Sequence, residues 1–206
     1  MKTSLYEPFF KFSLAFAAAA RIFSTRQLAS HPFISGCSQP VTRAQQFLWA
    51  HGDTFEKTRG AGDSPWLWRL TTAAKRKYGY TFKSIAGDTQ RRAHWLGLGD
   101  LWLALTYAGG RPTHWTTEPH AQFDVDFTWN GKRVLAEYQR SELSPKRWKE
   151  KWDKRLAWYE AQKFDDEPYV LLIVTTEQSD AAIKAPEGTY VCRDVRDVPR
   201  TIQRMR

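Results

Sequence analysis

Apolar residues near the start of the chain recur at intervals of three and four, the period of a helix with one buried face. They are Tyr6, Phe9, Phe10, Leu14 and Ala17. A second helix is predicted after Ser24, because a serine side chain is suited to the N-cap position. A third is predicted over Ser38–Trp49, where Pro40 fits the first turn and an apolar stripe faces inward. The opening segment is therefore predicted to contain three short helices.

Two strand-like runs follow the third predicted helix. They cover Thr54–Arg59 and Trp66–Thr71 and are separated by a loop rich in Gly, Asp and Pro. Three helices followed by a β-hairpin is the order of a winged helix-turn-helix. The sequence therefore predicts a DNA-binding domain of this type over residues 1–80, followed by a polar linker that ends near residue 92.

A second domain is predicted over residues 92–206. It opens with an apolar helical stripe over His94–Ala108, which two glycines end. The elements predicted after that helix are a strand near Thr113–Glu118, a hairpin around Asn130-Gly131, a charged helix over Pro145–Gln162, a strand over Tyr169–Thr175, a short helix near Ser179–Lys184 and a strand near Thr189–Cys192. The order α-β-β-β-α-β predicts an α/β domain with a mixed sheet.

The Asn130-Gly131 pair is a strong signal for a two-residue hairpin turn. Counting outward from it, Asp126 falls opposite Leu135, Asp124 opposite Glu137 and Gln122 opposite Gln139, with all six side chains on one face. Like charges directly opposite each other destabilise a sheet. We therefore expect a bound cation, a nearby Lys or Arg, or a shared proton at Asp124 and Glu137.

The charge of the chain indicates a polyanionic partner. Lys and Arg number 31 against 22 Asp and Glu, giving a formal net charge of +9. Double-stranded DNA is the partner that this charge favours. The predicted contacts are Thr42, Arg43, Gln45 and Gln46 on the third helix, Lys57 and Arg59 on the hairpin, and Lys75, Arg76 and Lys77 after it. The alternative is an interaction module whose third helix packs on a protein partner.

Cysteine usage and the N-terminal run bear on location. Cys37 and Cys192 lie far apart without metal-type spacing, which is typical of a reducing compartment. The apolar run 9–20 resembles a signal peptide, but Glu7 and Lys11 favour an amphipathic helix instead. No stretch reaches the roughly 20 apolar residues of a membrane span. We therefore expect a cytoplasmic protein that does not enter a membrane.

The second domain has the aspartate of Phe123-Asp124 before the hairpin turn and Glu137-Tyr138-Gln139 on the strand that follows the turn. In this arrangement it resembles the PD-(D/E)xK nuclease fold. Together with the preceding winged helix, the chain is similar to the replication-relaxation family of plasmid and mobile-element proteins. The resemblance covers residues 12–165 approximately. It also includes Leu70-Thr71, Tyr80, His94, Arg155-Leu156 and Tyr159. Phe123 replaces the proline of the motif, and Gln139 stands where nucleases usually carry lysine.

The resemblance implies a DNA-binding accessory role in plasmid replication, relaxation or transfer, with a relaxase or replication protein as partner. In an active nuclease of this fold, Asp124 and Glu137 would bind Mg²⁺, with Glu118 as a third carboxylate. Gln139 would then orient the attacking water without supplying charge. The alternative functions are a Mg²⁺-dependent endonuclease or nickase and an adaptor for an acidic protein.

The carboxylate pair also has a structural interpretation. Arg140, Lys146 or another residue of the charged helix would then neutralise Asp124 and Glu137. On that helix the aromatic residues are predicted to cover the sheet. Its basic residues are predicted to form a solvated rim that could follow a DNA backbone. They are Lys146, Arg147, Lys149, Lys151, Lys154 and Arg155. The sequence leaves open whether the arginine-rich segment 194–206 is ordered, although basic tails of this kind are more often flexible than folded.

Overall fold

The computed structural model describes residues 6–58, 66–86, 91–119, 123–141, 143–162, 169–176 and 186–205. The chain divides into two compact units, Met1–Asp100 and Leu101–Arg206. The division falls inside a helix that begins at Arg92.

The first unit combines short helices with a small antiparallel sheet. Its helices are α1 (Glu7–Ala20), α2 (Thr25–Ala29), α3 (Pro32–Ser35), α4 (Pro40–Ala50), α5 (Thr72–Lys77) and the first part of α6 (Arg92–Gly109). Its strands are β1 (Phe23–Ser24), β2 (Phe55–Thr58) and β3 (Leu67–Leu70), in the order β1-β3-β2. Both pairs of neighbouring strands are antiparallel.

Local signals in the sequence determine where these helices begin. Ser24 forms a capping box with Gln27, which confirms the predicted N-cap of α2. Thr71 caps α5 through a bond from the amide of Ala74, and α1, α3 and α4 each have a proline in the first turn. The inward face of α4 buries Ala44, Phe47 and Leu48, as the apolar stripe predicts.

The second unit is built on a five-stranded mixed sheet, which confirms the predicted α/β class. Its strands are β4 (Thr113–Thr117), β5 (Val125–Trp129), β6 (Lys132–Gln139), β7 (Val170–Thr175) and β8 (Thr189–Cys192), in the order β4-β5-β6-β7-β8. Strands β4, β5 and β6 pair antiparallel, whereas β6, β7 and β8 pair parallel. The helices α7 (Pro145–Ala161) and α8 (Val198–Arg204) complete the unit with the end of α6.

The hairpin register is confirmed where the structure describes it. Trp129 pairs with Lys132 and Asp126 with Leu135, and the turn residues Asn130 and Gly131 both have positive φ. One face of this sheet packs against α7. The buried side chains of that core are Phe123, Leu135, Trp148, Trp152, Leu171 and Ile173. The prediction that the aromatic residues of α7 cover the sheet is therefore confirmed.

Three helical segments are not among the elements that the sequence predicts. The residues between the second and third predicted helices form the short helix α3, because Pro32 occupies its first turn and the His31 ring caps it. Helix α5 was not predicted. The segment 194–206, whose order the sequence leaves open, contains α8, which is held by buried Val198 and Ile202. The helix predicted near 179–184 and the last residue lie outside the described residues. Within the described part of the chain, no helix combines the length and apolar character of a bilayer span.

Candidate functional site

A buried carboxylate lies at the middle of the larger sheet. Glu137 is on β6, between β5 and β7, and only 3% of its surface is exposed. Burying an ionised carboxylate is unfavourable unless other groups compensate. Burial and the negative charge of Asp124 raise the pKa of Glu137 to about 7, against the opposing effect of Arg155 and Lys151. Glu137 therefore changes its charge near neutral pH.

The compensating cations come from α7. Lys151 and Arg155 are four residues apart, so they lie on the same side of the helix. Nη2 of Arg155 lies 2.6 Å from Oε2 of Glu137, and Nζ of Lys151 donates to Oε1. Each carboxylate oxygen of Glu137 therefore faces a cation.

Two basic residues are therefore placed differently from the sequence prediction. Arg155 is buried and Lys151 is half-buried, so their assignment to a solvated rim is wrong. Their charges are drawn inward because Glu137 is buried beneath α7. The other rim residues, Lys146, Arg147, Lys149 and Lys154, are exposed as predicted. The structural interpretation names Arg140, Lys146 or another residue of the charged helix as the neutralising group; the last of these options is confirmed, because Lys151 and Arg155 of α7 pair with Glu137.

Gln139 joins this cluster two residues further along β6. It is 4% exposed, and its Oε1 accepts a hydrogen bond of 2.6 Å from Nζ of Lys151. Its Nε2 donates to the backbone oxygen of Ser141. The amide is thus held at both ends, and the ammonium of Lys151 lies between Glu137 and Gln139.

Asp124 lies just before β5, at the edge of the cluster. The regular ladder ends where Val125 pairs with Ala136. Beyond that pair, the amide of Asp124 donates to the oxygen of Ala136 at 3.1 Å, and Oδ2 of Asp124 accepts from the amide of Tyr138 at 2.8 Å. The backbone and the carboxylate of Asp124 thus continue the hydrogen bonding to β6 beyond the last regular pair of the ladder. The predicted partner of Gln139, Gln122, lies outside the described residues.

The predicted metal ligands Asp124, Glu137 and Glu118 are not arranged as a group of three that could bind one metal ion. Glu118 is half-buried, and its amide donates to the backbone oxygen of Asp124 at 2.8 Å. Among the residues that the structure describes, no group of three or more His, Cys, Asp and Glu side chains is arranged to hold a metal. Both oxygens of Glu137 already face cations. In this arrangement a metal could bind Glu137 only by displacing Lys151 or Arg155 from its carboxylate.

A second cluster of polar side chains, which the sequence does not predict, adjoins the hairpin. The hydroxyl of Tyr169 donates to Oδ2 of Asp126 at 3.1 Å and accepts from Nη2 of Arg133. Burial and the charge of Asp126 raise the pKa of Tyr169. The register placed Asp126 and Arg133 on neighbouring strands, but Tyr169 follows α7 and had no sequence signal linking it to them.

The predicted DNA contacts of the first unit lie mostly on exposed positions. On α4, Thr42, Arg43 and Gln46 are exposed and Gln45 is half-buried. On β2, Lys57 is exposed, with Nζ 3.3 Å from the centre of the Trp66 ring.

The contacts predicted after the hairpin lie on α5. Arg76 and Lys77 are exposed, whereas Lys75 is half-buried and donates to Ser84 Oγ at 2.8 Å. Arg59 lies outside the described residues. The end of α4 contributes a further exposed side chain that the prediction omitted, Trp49, which is 53% exposed.

Comparison with known proteins found no match to this chain among family models, curated proteins or solved structures.

Proposed function

We propose that this chain is a DNA-binding accessory protein of plasmid or mobile-element replication, relaxation or transfer. In this proposal the first unit contacts double-stranded DNA. The second unit is a nuclease-like domain whose role is binding rather than catalysis. The setting follows from the family resemblance of the sequence. The DNA-binding part has its own support in the first unit.

The observation that carries the proposal is the outward face of α4. Thr42, Gln46 and Trp49 are exposed and follow one another at intervals of four and three, so they form one stripe opposite the buried face. Arg43 is exposed beside this stripe. A helix with such a polar outer face can enter a major groove and donate hydrogen bonds to base edges and phosphates.

The elements around α4 support a winged helix-turn-helix. The order α1, β1, α2, α3, α4, β2, β3 places two strands directly after the proposed recognition helix. Strands β2 and β3 form the hairpin, and β1 pairs with β3 on the side away from β2. Lys57 on β2 would then contact the backbone of the same duplex, and the net charge of +9 favours such a polyanion.

The second unit supports a binding role more than a catalytic one. The two oxygens of Glu137 face Lys151 and Arg155, so the carboxylate is already neutralised by the protein. In a working metal site the same oxygens would face the metal. We therefore propose that this unit uses the exposed basic side chains of α7 to contact the DNA backbone or to bind a relaxase or replication protein.

One observation favours a second candidate, a Mg²⁺-dependent endonuclease or nickase. The Glu-x-Gln pattern lacks the lysine of active nucleases, but Lys151 brings an ammonium to within 2.6 Å of Gln139 Oε1. A lysine from the helix could thus supply the positive charge that is missing at position 139 of β6. In that case Lys151 would have to exchange its contact with Glu137 for one with the reacting phosphate.

Duplex binding measured by fluorescence anisotropy over a range of salt concentrations tests the proposal. We expect affinity to fall steeply with salt, and Arg43→Ala to weaken binding and reduce the slope of log K against log salt by about 1. Arg200→Ala, which changes an exposed arginine of α8, is the control. Duplex affinity that is absent, or that does not depend on salt, would favour the adaptor instead.

A plasmid-nicking assay in Mg²⁺ or Mn²⁺ separates the two candidates. The proposed accessory role predicts no nicking by the wild-type protein beyond that of Glu137→Gln. Nicking that disappears in both Glu137→Gln and Asp124→Ala would establish the endonuclease and reject the non-catalytic role.

A further inference from the structure

A cavity of about 890 Å³ lies in the first unit among α1, α3 and α4. Cavities of roughly 300–1,000 Å³ are typical of small-molecule sites. Aromatic rings from all three helices line it, among them Phe9, Phe10, Phe33 and Phe47. None of the charge clusters of the larger sheet takes part. This cavity therefore needs an explanation of its own.

The walls are held by contacts among the rings themselves. The ring centres of Phe9 and Phe47 are 4.6 Å apart, and those of Phe9 and Phe33 are 5.4 Å apart. Phe9 and Phe47 are buried, whereas Phe33 is 42% exposed at the mouth. A flat aromatic molecule in the cavity can pack against the sides of these rings that face it, without separating them.

The charged side chains at the opening of the cavity favour a ligand of negative charge. Arg43 and Gln46 line the cavity and are exposed, so their polar ends can reach a bound molecule. The carboxylate of Glu7, which also lines it, is paired with Lys11 at 2.6 Å. The guanidinium of Arg43 therefore gives the mouth a positive character and suits a carboxylate or sulfonate.

We propose that this cavity binds a small planar aromatic anion, with its rings packed against the cavity side of Phe9, Phe33 and Phe47 and its acidic group on Arg43. Because α4 also carries the proposed DNA-contacting face, a ligand on Arg43 and Gln46 competes with the duplex for the same side chains. Binding of the ligand and of DNA is then mutually antagonistic. That antagonism rests on the proposed function, whereas binding by the cavity does not.

Two fluorescent probes that differ in charge test the site. The probes are 8-anilinonaphthalene-1-sulfonate and its uncharged analogue N-phenyl-1-naphthylamine. We expect each to bind the folded wild-type protein saturably at one site. Arg43→Gln should weaken the sulfonate roughly tenfold and change the uncharged probe less than about twofold. Arg26→Gln, an exposed arginine of α2 outside the cavity, should change neither.

Cysteine modification gives an independent readout on the unaltered chain. Cys37 lines the cavity and is exposed, whereas Cys192 is buried. We expect saturating sulfonate to slow the alkylation of Cys37 by iodoacetamide, measured by peptide mass spectrometry. Unchanged alkylation, no saturable binding, or equal weakening of both probes by Arg43→Gln would overturn the proposal.

Addition of duplex DNA distinguishes a failure of the site from a failure of the proposed function. If DNA binds and displaces the sulfonate, the antagonism is supported. Simultaneous binding of both would reject the antagonism. If the chain binds no DNA but retains Arg43-dependent sulfonate binding, the proposed function fails and the cavity assignment stands.

Discussion

Lys151 on α7 holds its ammonium 2.6 Å from the side-chain oxygen of Gln139 on β6. The same ammonium donates to Glu137, the buried acid two residues earlier on the strand. The positive charge that is missing at position 139 of β6 is thus provided by the helix that covers the strand. This relationship allows the electrostatics of the site to be tested one side chain at a time.

Replacement of Lys151 by methionine should raise the pKa of Glu137 above about 7. The reason is that Lys151 lowers this pKa through its charge and its hydrogen bond, and methionine provides neither. The measurement is a carbon-detected NMR titration of the glutamate carboxyl groups. Lys154→Met, at an exposed position of the same helix, should leave the pKa unchanged. An unchanged pKa in Lys151→Met would show that the two side chains do not interact in solution.

Replacement of Arg155 by methionine should destabilise the protein by roughly 3 kcal/mol at pH 8, because a buried carboxylate then loses one of its two cations. Arg147→Met, on the exposed side of α7, should change the free energy of unfolding by less than about 0.5 kcal/mol. Urea denaturation provides both values. Adding Glu137→Gln to Arg155→Met should recover part of the loss. Strictly additive effects of the two changes would contradict the ion pair.

The stability of the protein should depend on the protonation of Glu137. Its pKa of about 7 in the folded protein lies above the ordinary value of 4.5, so the folded state binds more protons between these values. This contribution to stability is therefore complete below pH 4.5 and is lost as pH rises through about 7. Its upper limit is roughly 3 kcal/mol.

Urea denaturation from pH 5 to pH 8 checks this dependence. Glu137→Gln should be less sensitive to pH than the wild-type protein across this interval, since glutamine does not titrate. Parallel curves for the two proteins would assign the dependence to another group.

His31 should give the first unit the opposite pH dependence. Its Nδ1 accepts from the amide of Phe33 at 3.1 Å, and its ring centre lies 4.1 Å from that of Phe12. Burial lowers the pKa of His31 below its ordinary value of 6.5. The stabilising contribution is therefore present above pH 6.5 and is lost as pH falls through the lower, folded-state value.

Hydrogen exchange at the amide of Phe33 measures this effect locally. After correction for intrinsic exchange rates, its protection should decrease on acidification in the wild-type protein. His31→Asn keeps a side chain that can cap α3 but cannot titrate, so its protection should stay nearly constant. An equal decrease in both proteins would show that His31 is not the responsive group.

The predictable parts of the fold are those with local causes. Asn130 and Gly131 determine a two-residue turn, and the period of two then gives the register that pairs Asp126 with Leu135. Ser24 likewise caps α2 through Gln27, three residues away. In each case the interacting residues are neighbours in sequence or are related by a fixed count from a turn.

The parts that could not be predicted depend on distance across the core. Arg155, unlike exposed Arg147, follows Trp148 and Trp152 at intervals of seven and three, so helical periodicity places it on the sheet side, but the sequence does not show that a buried acid lies opposite it. The difference arises when Trp148 and Trp152 anchor the helix on the sheet and thereby direct one side of it towards Glu137. Tyr169 joins Asp126 and Arg133 for a similar reason, since the parallel pairing of β6 and β7 brings it there.

Among the residues that the structure describes, the two cations that face Glu137 both belong to α7, at Lys151 and Arg155. Trp148 and Trp152 anchor the same helix on the sheet. Each residue of a helix advances its face by about 100°, so one residue inserted between Trp152 and Arg155 would turn the guanidinium away from Glu137. The spacing within α7, rather than the composition of its exposed side, therefore keeps the buried acid compensated.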